Sequence, residues 1–436
     1  MTPTPAPEVA ELCAELIRFD TSNFGPEGSR GERDAAEWVA EKLDEVGIAS
    51  ELYESAPRRT SVVAHWEPEG CDKSLPPLLI HGHTDVVPAM ASDWQVDPFA
   101  GEIRDGCVWG RGAVDMKDFD AMVLAVVRDR QRSGRAPRRP IRLVFTADEE
   151  AAGHYGAHYL VEKHPDTVAD CTEAIGEVGG FSVTVRDDLR LYLIQTAEKG
   201  LAWLNLIASG TAGHGSMRNS DNAVTTLASA VSRIGNHKWP PRLHPAQLGF
   251  LHAVEDALGV TVEADSAEET LARLGTIARM VGATMGNTAT PTMLRAGYKH
   301  NVIPGEAIAG LDGRFVPGAE EEFFETLAEL LGDLVRYEIV AKQDAVEAEF
   351  AGHLVDAMRS CIEDEDPQGK AVPFLMSGGT DAKAWSKLGI NCYGFAPLKL
   401  PADLDFVAMF HGVDERVPVE SLEFGTRVLD AFLDKA

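Results

Sequence analysis

Two histidines separated by one glycine, with an aspartate two residues beyond the second, stand at His81-Gly82-His83-Thr84-Asp85. Imidazole nitrogen and carboxylate oxygen, with no cysteine nearby, are donors that suit zinc or a similar divalent ion. Along a strand, residues two apart lie on the same side, and a ligating imidazole usually gives its other nitrogen to a carboxylate that fixes its tautomer. Asp85 can therefore support His83. Further acids follow at comparable points: Asp148, Glu149 and Glu150 after "IRLVFT", Glu177 after "AIG", and Asp115 in the glycine-bearing loop "GRGAVDMKD". His411 lies in the polar stretch "FHGVDERVP". Two histidines and three or more carboxylates are too many for one tetrahedral ion, and suit two ions ~3.5–4 Å apart that share a carboxylate. Taken alone, His81-x-His83 reads equally as an ordinary strand end, and acids after a strand as solvated loop residues.

Other chemistries fit less well. "GRGAVDMK" lacks the spacing of either phosphate-binding glycine motif. Ser377 in "MSGGTD" lacks the turn of a nucleophilic serine. His154 and His158 have the spacing of a zinc-binding helix, but Tyr155 stands where the glutamate should follow the first histidine, so they read as surface or core residues.

The elements that must carry these residues show in the apolar spacing. Helices are expected over 8–18 and from 31 to 46, then strands over 48–54 and 60–66. "PLLIHGH" and "IRLVFTADEE" are short apolar runs of the buried-strand type, each ending in the candidate donors. Asp115 opens a loop that becomes a helix to Gly134, a helix is expected over 153–164, and "CTEAIGEVGG" is a further strand. This alternation indicates an α/β domain, in which ligands bind beyond the carboxyl ends of the strands. From 192 to 343 the order becomes β-α-β-β-α-β, with strands near 200–210, 291–299, 306–315 and 335–341 and helices near 221–236 and 320–334. That is a ferredoxin-like α+β unit, interrupted by a helical excursion at 240–286. A helix near 347–363 and a strand near 390–396 return to the α/β pattern. The expected organisation is a discontinuous α/β domain, 1–191 with 344–436, and a smaller inserted domain over 192–343.

Composition bounds the rest. The 436 residues carry a net charge of −29, which repels phosphate backbones and argues against a nucleic-acid partner. Six scattered cysteines form no Cys-x-x-Cys pair and read as reduced thiols. The first residues, "MTPTPAPEVAELCAELIRFD", lack the pattern of a secretory leader, and no run is long and apolar enough for a membrane span. The expected compartment is the cytoplasm, with no membrane association.

Read in order, "HTDVVPA", "DPF", "IRDGCVWGRGAVDMKD", "DEEAAG", "GEVGG", "GHGS", "NVIP", "DGR", "GGTD" and "H…ER" resemble peptidase family M20, the dizinc aminoacylases, carboxypeptidases and succinyl-diaminopimelate desuccinylases. The resemblance runs from about Thr84 to Arg416. It implies a zinc-peptidase-like catalytic domain with a lid and dimerisation domain inserted, and two divalent ions, zinc first, with cobalt or manganese as substitutes. It implies that His83 binds metal, that Asp85 orients it, and that His81 is a neighbour only. Asp115 bridges the ions, His83 and Glu177 complete one site, Glu150 and His411 the other, and Glu149 is the general base. His214 stabilises the oxyanion from a partner subunit, while Asn301, Arg314 and the Gly379-Thr380 pair of "GGTD" serve the substrate. The activity implied is hydrolysis of an amide bond in a small peptide or N-acyl amino acid with a free carboxylate, by a homodimer. The alternative is a non-catalytic binding or regulatory protein that retains the fold.

Overall fold

The computed structural model describes residues 8–25, 28–259, 261 and 281–436. Its frame is set by the strands Leu78–His83 and Ile141–Thr146, in which every residue is buried. They lie parallel and side by side, and parallel partners Glu173–Gly176 and Asn391–Gly394 continue the sheet. Strands buried on both faces need a covering layer on each side. Leu78 and Ile80 point into the larger core, with Ile17, Met122, Val126 and Phe432 from the helices Val9–Ile17, Lys117–Ser133 and Val419–Lys435. Leu79 points into a second core, with Leu160 and Trp385 from the helices Ala157–Lys163 and Ala382–Trp385. The antiparallel strands Ser50–Ala56 and Arg59–Trp66 close one edge beside Ile141–Thr146.

The inserted unit forms a separate four-stranded antiparallel sheet in the order Thr288–Ala296, Glu306–Phe315, Gly200–Ser209, Val335–Gln343. Glu306–Phe315 buries alternate residues, the period of a strand with one covered face. The helices Ala223–Asn236 and Glu320–Leu331 supply that cover through Leu227, Ile234, Phe323 and Leu327. Gly313 is needed for the close fit, because a Cβ there would meet the Phe323 ring at 2.4 Å. The β-α-β-β-α-β order expected from the sequence is present.

Three features depart from the sequence reading. The strand Leu189–Glu198 runs across the expected boundary at 191/192, and all of its pairing lies in the large sheet, with Gly369–Met376, Asn391–Gly394, Ser182–Arg186 and Val346–Glu347. Gln195, Thr196 and Glu198 break its apolar run, so the sequence hides a strand that is buried along most of its length. The excursion at 240–286, where it is described, touches both units: Arg242 bonds Glu322 and the Gly318 carbonyl of the inserted unit. Its helix Pro245–Leu258 returns to the catalytic layer, placing Phe250, Leu251 and Val254 in the large core with Tyr192 and Phe374; residues 260 and 262–280 lie outside the described residues. The helix expected near 347–363 begins at His353, after the short strand Val346–Glu347 has joined the large sheet. Among the described residues no helix is long and apolar enough to cross a membrane.

Replacing Phe250 by Ala should therefore destabilise the catalytic layer by about 3–5 kcal/mol, the usual cost of deleting a buried phenyl ring. Denaturant unfolding measures it; a change below about 0.5 kcal/mol would mean that the helix does not pack there.

Candidate metal centre

The four parallel strands deliver their carboxyl ends to one cleft. His83 is the last residue of its strand, Glu177 follows Gly176, and Glu149 and Glu150 follow Thr146 by a short turn. Around His83 Nε2 stand Asp115 Oδ1 at 3.2 Å, Glu177 Oε2 at 3.5 Å and Glu149 Oε2 at 3.9 Å. Around His411 Nε2 stand Glu150 Oε2 at 3.1 Å and Asp115 Oδ2 at 3.2 Å. Asp115 thus turns one oxygen to each histidine. Donor atoms of His83, Glu149 and Glu177 lie within 4.8 Å of one another, as do those of His83, Asp115 and Glu150, and either group could hold a metal ion.

The supports are mostly backbone donors. His83 Nδ1 lies 3.0 Å from the carbonyl oxygen of Asp85 and 3.5 Å from its carboxylate. The Asp85 carboxylate has further work: it accepts the backbone N–H of Glu149 at 3.1 Å and of Glu150 at 3.2 Å. Glu415, in the "ER" of the last motif, plays the matching part for Asp115. Its buried carboxylate accepts the N–H groups of Gly112, Val114 and Asp115 and pairs with Arg111 at 2.8 Å. The Asp115–Met116 peptide is cis. Sequence reasoning gave no role to Glu415, nor to Asp381, whose carboxylate accepts a hydrogen bond from the Thr146 hydroxyl at 2.6 Å. The signal available was an acid in an otherwise structural stretch, which becomes informative only once its burial is known.

The electrostatics follow from crowding acids away from water. Burial and the Glu177 charge push Glu149 well above the ordinary carboxylate range. Burial raises Glu177 to about 8 against the pull of His83. Burial and Asp115 raise Glu150. Burial works against the charged form of Asp115 too, but His411 and His83 hold its pKa below the ordinary value. Asp115 and Glu150 raise His411 to about 10. Burial would depress His83, yet Glu177, Asp115 and Asp85 raise it well above an ordinary imidazole. Three acids whose affinity for protons is raised, one carboxylate held ionised between two imidazoles, and those two imidazoles form a donor set that divalent cations satisfy by replacing the protons. His81 differs. Burial lowers it to about 3, so it is neutral, and its ring packs 5.9 Å from Trp385 and fills the space a side chain at Gly176 would need.

The remaining expected residues lie apart from this cluster. His214, in the short strand Gly213–His214 paired with Val302–Ile303, is exposed, and its Nδ1 lies 2.8 Å from the Ser216 hydroxyl. Exposed Asn301 gives its carbonyl to Gly215 N–H at 2.9 Å. Arg314 is half-buried in the lid sheet and paired with Asp312 at 2.7 Å. Gly379 is half-buried. Thr380 gives its hydroxyl (2.6 Å) and its N–H (3.1 Å) to Glu198, so both of its donors are already engaged.

Comparison with solved structures finds the same fold in an M20 family metallo-carboxypeptidase of Sulfolobus solfataricus, at a TM-score of 0.74 and 17% identity over 98% of this chain and 99% of that one. Among curated sequences the chain is 30% identical to a probable carboxypeptidase S-like 2 of Dictyostelium discoideum, covering 83% of this chain and 71% of the relative. It is 28% identical to the N-fatty-acyl-amino acid synthase/hydrolase PM20D1 of Xenopus tropicalis, covering 95% and 83%. Fold and cluster together define a metal-dependent hydrolase of amide bonds. The chain belongs to peptidase family M20/M25/M40, whose model matches residues 79–435.

Proton occupancy gives a test. At pH 7 the metal-free cluster keeps protons on Glu177 and His411, whose pKa values stand at about 8 and about 10. Divalent ions compete with those protons, so metal binding should release protons, and its affinity should rise with pH, most steeply below about 8, and level off above about 10. Calorimetric titration of metal-free protein in two buffers of different ionisation enthalpy measures the release. Binding with no proton exchange would contradict this electrostatic account.

Proposed function

We propose that this chain hydrolyses the amide bond of small substrates with a free carboxylate, short peptides and N-acyl amino acids, at a pair of divalent ions, zinc foremost. The observation that carries the reading is Asp115, which presents Oδ1 to His83 and Oδ2 to His411 from a buried position, as a carboxylate shared by two ions must. The names of the relatives, a carboxypeptidase and an N-fatty-acyl-amino acid hydrolase, support the substrate class.

His83 and Glu177 would hold one ion, Glu150 and His411 the other, and Asp115 would serve both. Bound there, such ions would polarise the substrate carbonyl and lower the pKa of the attacking water. Glu149 takes the proton of that water and passes it to the leaving amine. Its carboxylate stands 3.9 Å from His83 and accepts no hydrogen bond among the described residues, so it is free to take that proton. Asp85 holds His83 in one tautomer through Nδ1 and so leaves Nε2 free as donor. Arg314 and Asn301, on the inserted domain, hold the substrate carboxylate, and the Gly379 backbone also serves the substrate. Thr380 serves the substrate indirectly, by fixing Glu198. His214, exposed on the inserted domain, reaches the active site of a second copy in a homodimer and donates to the developing oxyanion.

Glu149 and Glu150 are adjacent and chemically alike, so they separate this mechanism from a generic acidic loop. Glu149→Gln should keep both ions and substrate affinity while turnover falls at least about 10²–10⁴-fold, the usual worth of general base catalysis. Glu150→Gln should lose metal. Elemental analysis and kcat on N-acyl amino acids and dipeptides measure both, and the reverse pattern would exchange the two roles.

His214→Ala should lower kcat about 10²–10³-fold with metal retained. Mixing His214→Ala with Glu149→Gln chains should restore part of the activity through heterodimers; verified subunit exchange without recovery would place His214 outside the partner's site.

A further inference from the structure

Among the described residues the carboxylate of Glu149 makes no hydrogen bond; its one polar contact is His83 at 3.9 Å. Glu150, by contrast, is held independently, by Val87 N–H at 3.2 Å and by His411 at 3.1 Å. The direction of the Glu149 side chain therefore depends on its backbone. That backbone begins at Asp148, which sits in the left-handed region at φ 69°, a conformation that for a non-glycine residue needs local bonds to hold it. Asp148 Oδ2 accepts Tyr155 N–H at 2.9 Å, and Oδ1 accepts Arg59 Nη2 at 2.5 Å and Asn23 Nδ2 at 3.1 Å.

Asn23 reaches further. The same Nδ2 donates to Asp85 Oδ2 at 2.8 Å, and Asp85 is the carboxylate that receives the N–H groups of Glu149 and Glu150. The Asn23 side chain is itself fixed, since its Oδ1 accepts Gly25 N–H at 3.0 Å and its own N–H donates to the Val86 carbonyl at 2.8 Å. Arg59 is braced from behind by Glu32 at 3.0 Å. Asn23, Glu32, Arg59, Asp85 and Asp148 are all buried. Two buried carboxylates, Asp85 and Asp148, thus share one amide nitrogen, which offsets their mutual repulsion as well as linking them.

We infer that Asn23, with Arg59 beside it, is a positioning residue for Glu149: by tying Asp85 to Asp148 it fixes the turn that aims the Glu149 carboxylate. Neither residue touches the reacting atoms. The inference rests on Glu149 as the proton-transfer group.

A cycle of Asn23→Ala and Glu149→Gln, singly and together, tests it. Asn23→Ala should lower kcat about 10–100-fold, the cost of a misplacement near 1 Å, with KM changed less than about threefold and two ions per chain retained. In the Glu149→Gln background the same substitution should change kcat less than about threefold, because the group it positions is already gone. An equal loss in both backgrounds, or loss of metal in Asn23→Ala, overturns the inference. Should thermal unfolding show that Asn23→Ala is not folded, Arg59→Lys carries the same cycle, with a loss of about 3–10-fold expected in the wild-type background only; an equal loss in both again overturns it. Wild-type turnover in Glu149→Gln itself would remove the mechanism rather than the positioning.

Discussion

Like charges forced together away from water govern this molecule. Four carboxylates end within a few ångströms of one another at the carboxyl edge of a buried sheet, and each would be cheaper in solution or far from its neighbours. Parallel strands make the arrangement affordable, since their carboxyl ends converge and their flanking helices exclude solvent. The result is a cleft whose acids hold protons or cations but cannot stand bare together. Metal binding and proton transfer are two uses of that one imbalance.

Such a cluster keeps its shape only if something other than the cluster holds it. The structure uses backbone amides gathered by a second set of buried acids. Glu415 collects three N–H groups of the Gly112–Asp115 loop. Asp85 collects those of Glu149 and Glu150. Each of these outer acids is in turn balanced, Glu415 by Arg111 and Asp85 by Asn23 and His83. Asp115 and Glu149 are thus oriented through their own main chain, while Glu150 is held in addition by Val87 N–H and His411.

Much of this was legible in the sequence because the strands that carry the donors are short apolar runs. "LLIHGH" and "IRLVFT" announce themselves by composition, and the donors follow directly. The inserted unit was legible for the same reason, through its alternating strands and amphipathic helices. What stayed hidden depends on contacts distant in sequence. Leu189–Glu198 is buried along most of its length yet carries Gln195 and Glu198, whose partners lie elsewhere in the fold. Asn23 and Arg59 resemble ordinary polar residues until their neighbours at 85 and 148 are known. The helix Pro245–Leu258 shows its own period in the sequence but not which sheet it covers.

The first and last segments that join the inserted unit to the catalytic layer meet at one buried ammonium group. Lys383 Nζ donates to the carbonyl of Lys199 on the outgoing segment at 2.7 Å and to that of Asp344 on the returning one at 2.9 Å, and lies 3.7 Å from Glu198. Thr380, three residues earlier, grips the same glutamate, and Asp381 between them holds Thr146 at the end of the strand that leads to Glu149. One buried cation thus ties both ends of the inserted unit to the edge of the catalytic sheet from which the metal donors project, so the unit and the donors share an anchor.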